Sequence, residues 1–100
     1  MRWSKMEEEG SRTVQMNSTR YVVFDVETTG LSASRGDRII EIGAVAMNEG
    51  MMGEEFESLI HTDRPSTWVA QKVHGITAEM LAGQPEAKKV MALFKDFKKL

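Results

Sequence analysis

Short apolar and β-branched runs separated by polar breaks occupy the middle of the chain, and helical spacing takes over after them. Tyr21-Val22-Val23-Phe24 is apolar on both faces and predicts a strand over about residues 20–27, buried in the middle of a sheet. It breaks at Thr28-Thr29-Gly30, a turn-forming sequence. A loop through Ser32, Ser34, Arg35 and Gly36 leads to a second strand over about 38–47. Asn48-Glu49-Gly50 then turns the chain into a third strand, about 52–61, and so short a connection predicts antiparallel pairing as a meander. Pro65-Ser66 opens a short helix with Ser66 as its N-cap, and His74-Gly75 stops it. Thr77 caps another short helix that ends by Gly83. Pro85 sits at the first turn of a last helix running to Leu100, with Val90, Leu93, Phe94, Phe97 and Leu100 at helical spacing. Residues 1–19 show no sustained period and read as a mobile leader, leaving residues 20–100 as one unit.

The first strand also carries the chemistry. Side chains alternate between the faces of a strand, so Asp25 and Glu27 emerge on one side, about 6–7 Å apart. Two acids on one face at the end of a buried strand repel each other and are costly to desolvate. A divalent cation would offset both costs. An Asp-x-Glu spacing is weak evidence by itself, because strands often carry acids on a solvated face.

Composition narrows the choices. Hydrophobic residues at 41% and charged residues at 28% of 100 residues are ordinary for a globular domain. A formal net charge of −2 argues against a nonspecific polyelectrolyte binder. The absence of cysteine excludes disulfides and thiolate metal sites, and an intracellular, cytoplasmic setting is the expectation. The apolar stretches have strand length, so no membrane partner is expected, and the first residues lack the apolar segment of a signal peptide.

Phe24-Asp25-Val26-Glu27-Thr28-Thr29-Gly30-Leu31 resembles the first motif of the DEDD-type 3′→5′ exonucleases, the superfamily that includes the proofreading epsilon subunit of bacterial DNA polymerase III. Asp37-Arg38-Ile39-Ile40-Glu41-Ile42-Gly43-Ala44-Val45 resembles the family's second strand, Phe56-Glu57-Ser58-Leu59-Ile60 its third, and Val73-His74-Gly75-Ile76-Thr77 its His-Gly-Ile-Thr loop. The resemblance covers residues 20–100. It implies an α/β, ribonuclease H-like exonuclease fold, here an antiparallel three-stranded meander plus helices on one side, with the first strand at an open edge. It also implies that the family's later acids and its general-base histidine lie beyond the last helix. The chain then reads as the N-terminal part of the catalytic domain, inactive alone.

The resemblance further assigns roles. Asp25 and Glu27 would be the catalytic and metal-binding pair, holding two Mg²⁺ or Mn²⁺ ions in the complete site. Thr28, Thr29, Gly30, Leu31 and His74 would face the substrate, the single-stranded 3′ end of a nucleic acid, with DNA favoured and a DNA polymerase or further domains of a parent chain as partners. Blander readings stand beside these. Thr28 is an ordinary turn residue, Leu31 would equally cap a small core, and the ring of His74 would cap carbonyls at a helix end. His61 closes the third strand and reads as solvated. Glu41 reads as an outward-facing acid, with a place beside Asp25 as the alternative. A noncatalytic nucleic-acid-binding or interaction module and an RNA-trimming exoribonuclease relative are the competing functions.

Overall fold

A computed structural model describes residues 20–100, so the expected leader over 1–19 lies outside the described residues. Three strands, β1 (Arg20–Thr28), β2 (Ile39–Asn48) and β3 (Met51–Leu59), form one antiparallel sheet in the order β1-β2-β3. The meander is closed tightly at Asn48–Met51. Glu49 and Gly50 take φ values of 51° and 83°, and Asn48 pairs directly with Met51. Two consecutive left-handed residues match the twist of the flanking strands, which makes this the favoured two-residue hairpin.

Three α-helices follow: α1 (Trp68–His74), α2 (Ala78–Leu81) and α3 (Ala87–Lys98). The cap of α1 is Thr67 rather than Ser66. Its hydroxyl accepts from the Ala70 N–H at 3.1 Å, while Ser66 Oγ lies 3.4 Å from His74 Nε2. Gly75 ends α1 in the left-handed conformation and Thr77 caps α2, as the sequence predicts. The last helix starts two residues after Pro85. Glu86 is extended and bridges to His61, and the Pro85 carbonyl accepts from the His61 N–H at 2.9 Å, so this segment is tied to the end of β3 before the helix begins. No helix among the described residues is long and apolar enough to cross a membrane.

The register decides which side chains share a face. Val22, Phe24 and Val26 stand opposite Ala46, Ala44 and Ile42, and Ala44 faces Phe56 across β3. This face packs on α3 through Val90, Phe94 and Phe97, forming the main core. Leu93 and Leu100, although in helical phase with them, remain exposed. The helices do not all gather on that side. Leu59, opposite Glu41 on the other face, packs with Ile40, Ile76 and Leu81, so the α1–α2 segment closes one end of the second face. The reason lies in the chain path. A short connection out of β3 carries α1 and α2 past the end of the sheet before α3 returns to the first face.

Candidate active site

The second face holds the acids. Asp25 pairs with Gly43, which pairs with Glu57, and Glu27 pairs with Glu41, which pairs with Leu59. Residues directly opposite in an antiparallel sheet point to the same side. Asp25, Glu27, Glu41 and Glu57 therefore share one face, with Gly43 between two of them. Glu41 is half-buried here rather than outward-facing. Burial raises its carboxyl above the ordinary 4.5, and the neighbouring Glu57 and Glu27 raise it further. Asp25 Oδ1 accepts from the Val26 N–H at 2.9 Å.

A raised folded-state pKa means that the folded chain holds the Glu41 proton more tightly than the unfolded chain does. The resulting penalty is absent below the unfolded value, grows as pH rises through the window between the two values, and is complete above the folded one. Like charges directly across a ladder are worth roughly 0.2–1 kcal/mol. Glu41→Gln is accordingly expected to raise the melting temperature at pH 7 by a few degrees, about 4–8 °C per kcal/mol for a chain this size. Below the ordinary carboxylate range the gain should vanish. An unchanged or lower melting temperature at pH 7 would contradict this placement.

Beyond Glu27 the strand breaks into a loop whose backbone is unusually well tied. Thr28 Oγ1 donates to the Gly30 carbonyl at 2.8 Å. Thr29 is fully buried, and its hydroxyl donates to Asp37 Oδ1 at 2.8 Å while accepting from the Arg38 N–H at 3.0 Å. Gly30 passes close over Asp37, so close that a Cβ there would lie 2.5 Å from Asp37 Oδ2. Leu31 then projects wholly into solvent instead of capping the core.

Gly30→Ala is expected to destabilise the chain by about 1–3 kcal/mol, the usual cost of overpacking, because the Asp37 carboxylate is held by several donors and cannot swing aside. Thermal unfolding followed by circular dichroism measures it. A loss below about 0.5 kcal/mol would show that the loop yields.

The loop and α1 face each other across a cleft of about 680 Å³ lined by Val26, Glu27, Thr28, Gly30, Leu31, Thr67, Val69, Ala70, Val73 and His74. This size is ordinary for a small-molecule site. The lining is mostly aliphatic, with one carboxylate and one imidazole and no Lys or Arg among the described residues. His74 does not cap carbonyls. Its Nδ1 accepts from the Ile76 N–H at 2.9 Å and its Nε2 lies 3.4 Å from Ser66 Oγ, which places the ring proton on Nε2. His61 is partly buried, with Nδ1 donating to the Leu81 carbonyl at 3.2 Å and Nε2 at 3.3 Å from Asp63.

The structure thus brings Glu27, Thr28, Gly30, Leu31 and His74 to one cleft, with Asp25 on the same strand face as Glu27. Thr29 stands behind the cleft wall. Sequence reasoning passed over Asp37, Arg64 and Thr67, which organise that wall. Asp37 read as the start of the second strand, and nothing in its local spacing marks a carboxylate that folds back onto residues 29–32.

Asp25 and Glu27 are donors of the kind a hard divalent cation takes, while among the described residues no three His, Asp or Glu side chains gather closely enough to hold one. Carboxylates are the oxygen ligands such ions take, and a cation would relieve the repulsion from Glu57 and Glu27 that adds to the effect of burial on Glu41.

Comparison with known proteins agrees in kind. The Exonuclease family model, RNase_T, matches residues 22–100. The chain is 45% identical over 87 residues to the DNA polymerase III subunit epsilon of Haemophilus influenzae, covering 82% of this chain and 34% of that protein. It is 43% identical over 82 residues to the PolC-type DNA polymerase III of Latilactobacillus sakei, covering 82% of this chain and 6% of that protein. The chain spans about a third of the epsilon relatives it matches. Its structure superposes on Exonuclease X, solved in complex with 5′ overhanging duplex DNA, with a TM-score of 0.65 and 32% identity over 73% of this chain and 42% of that one. The nuclease domain of 3′hExo, a DEDDh family member bound to rAMP, shares the fold at a TM-score of 0.71 and 17% identity over 86% of this chain and 46% of that one. The common architecture is the ribonuclease H-like exonuclease fold, of which this chain contains the three-stranded antiparallel meander and its helices. The chain belongs to the RNase_T exonuclease family and is related to the epsilon subunits of DNA polymerase III.

Proposed function

We propose that this chain carries the acidic strand and the terminal-nucleotide cleft of a metal-dependent 3′→5′ exonuclease acting on single-stranded DNA ends. The observation that carries the reading is the position of Glu27, which belongs to the acidic sheet face with Asp25 and also lines the aliphatic cleft. A nucleotide seated in that cleft has its phosphate beside the acids.

Asp25 and Glu27 would hold Mg²⁺ or Mn²⁺. Two such ions, when bound, activate a water and stabilise the leaving 3′ oxygen in an in-line displacement. The remaining work falls to the cleft. Leu31 on one wall and Val69 and Val73 on the other offer apolar faces to a base, a contact indifferent to base identity because every base has an apolar face. The Thr28–Gly30 turn presents rigid backbone at the foot of the cleft, and the tethered His74 ring forms its far edge without free rotation. These groups orient the end and exclude water from one side of it.

The resemblance implies that the family's other ligands and its general base lie in the part of the relatives that this chain does not span. The 100-residue chain alone is therefore expected to turn over little substrate, with full activity in a polypeptide that supplies them. A DNA polymerase partner accords with the relatives' names.

Matched DNA and RNA single strands labelled at the 3′ or 5′ end, incubated with Mn²⁺ and the chain or a longer polypeptide containing it, test the reading. Mononucleotide release from the 3′ end of DNA is expected from the longer form. Preference for RNA would favour an exoribonuclease. Binding without release by the longer form would favour a noncatalytic module.

A further inference from the structure

The cleft is shaped from behind by a side chain that does not line it. Asp37 sits in a surface loop, yet its side chain is only 7% exposed. Its Oδ1 accepts from Thr29 Oγ1 at 2.8 Å and from Arg64 Nε at 3.3 Å, and its Oδ2 accepts from the Ser32 N–H at 3.0 Å. The Thr29 carbonyl accepts in turn from the N–H of Thr67, the cap of α1, at 2.7 Å. One carboxylate thereby gathers the loop that carries Leu31 and, through Arg64 and Thr29, the segment that enters α1. These are the two walls of the cleft.

We propose that Asp37 is a positioning residue that sets the separation of the cleft walls, and with it the grip on a terminal nucleotide. The proposal rests on the reading of the cleft as a nucleotide site. Leu31 is wholly exposed and touches no core, so its place depends on the anchoring of its backbone neighbours, Gly30 packed on Asp37 and Ser32 bonded to it. An ionised carboxylate is acceptor-only and complements all three donors, whereas an amide turns an NH₂ toward at least one of them. Thr29, the residue most deeply involved, has no other use for its hydroxyl than Asp37 and the Arg38 N–H. The side chains of Asp25 and Glu27 precede the loop on β1, so disturbing Asp37 should loosen the cleft without dismantling the acidic face.

The chain contains no cysteine, so Leu31→Cys with Val69→Cys places two spin labels on the facing walls without background labelling. A single narrow interlabel distance is expected in the otherwise unaltered chain, and a broadened or lengthened one after Asp37→Asn. An unchanged distribution overturns the proposal.

The second measurement is affinity for a short fluorescent oligothymidylate with a free 3′ hydroxyl, in Mn²⁺, alongside Mn²⁺ affinity itself. Asp37→Asn and Thr29→Val are expected to weaken oligonucleotide binding by about tenfold or more, the scale on which slight misplacement of positioning groups is felt, while Thr29→Ser keeps it. Mn²⁺ affinity should be retained in all three. Equal oligonucleotide affinity in Asp37→Asn overturns the proposal alone, and joint loss of Mn²⁺ affinity and the folded circular-dichroism signal in both Asp37→Asn and Thr29→Val overturns it in favour of a purely structural role. Absence of oligonucleotide binding by the unaltered chain overturns the nucleotide reading and this proposal with it.

Discussion

Asp25→Ala should abolish the divalent-ion response of this chain and reduce any 3′-end nuclease activity of a polypeptide containing it by more than about 100-fold. Substitution of groups that merely support metal ligands commonly costs 10–100-fold, and a ligand itself is felt more strongly. The response is readable without activity. An ion that binds only the folded chain raises its stability by mass action, by about 2.7 kcal/mol at a concentration of 100 Kd. Thermal melts in millimolar Mn²⁺ should shift upward for the unaltered chain and not for Asp25→Ala or Glu27→Ala. A Mn²⁺ shift that survives in Asp25→Ala would place the ion elsewhere.

The largest expected loss of stability comes from the opposite face. Phe94 is buried, and its ring meets Phe24 at 5.3 Å, Phe56 at 5.7 Å and Phe97 at 6.4 Å between centroids. It joins α3 to β1 and β3 in one contact set, together with Val90 and Ile42. Phe94→Ala is expected to cost about 3–5 kcal/mol. Domains of this kind have only about 5–15 kcal/mol in total, so the melting temperature should fall by at least about 12 °C. Leu93→Ala on the exposed side of the same helix is the control, with an expected change within about 0.5 kcal/mol. Comparable losses from the two would mean that α3 does not dock through the aromatic cluster.

Both expectations depend on a two-faced sheet, and its faces could be read from the chain only in part. Alternation placed Asp25 and Glu27 together, and of the helically spaced Val90, Leu93, Phe94, Phe97 and Leu100 the structure buries Val90, Phe94 and Phe97 and leaves the two leucines exposed. The strands lie within about two residues of where the pattern puts them, because a short hairpin turn and a β-branched run are local signals. The helix starts were less legible. Thr67 rather than Ser66 caps α1 because the Thr67 N–H is engaged by the Thr29 carbonyl, a contact from a distant segment. Pro85 falls outside α3 because its carbonyl is claimed by His61.

The sequence by itself determined the family, the acidic pair on one face of β1, the antiparallel meander and the apolar stripe of α3, since all of these follow from short-range spacing and side-chain chemistry. Only the tertiary structure decided which residues those elements meet. It set Glu41 opposite Glu27, sent Leu31 into solvent, turned Thr29 away from the cleft and folded Asp37 back beneath Gly30. These outcomes depend on strand register, a bulge between Glu27 and Thr28, and hydrogen bonds that join Asp37 to Arg64 and Thr29 to Thr67. The energy of such contacts is realised only once the sheet and helices have assembled, and so no local pattern along the chain announces them.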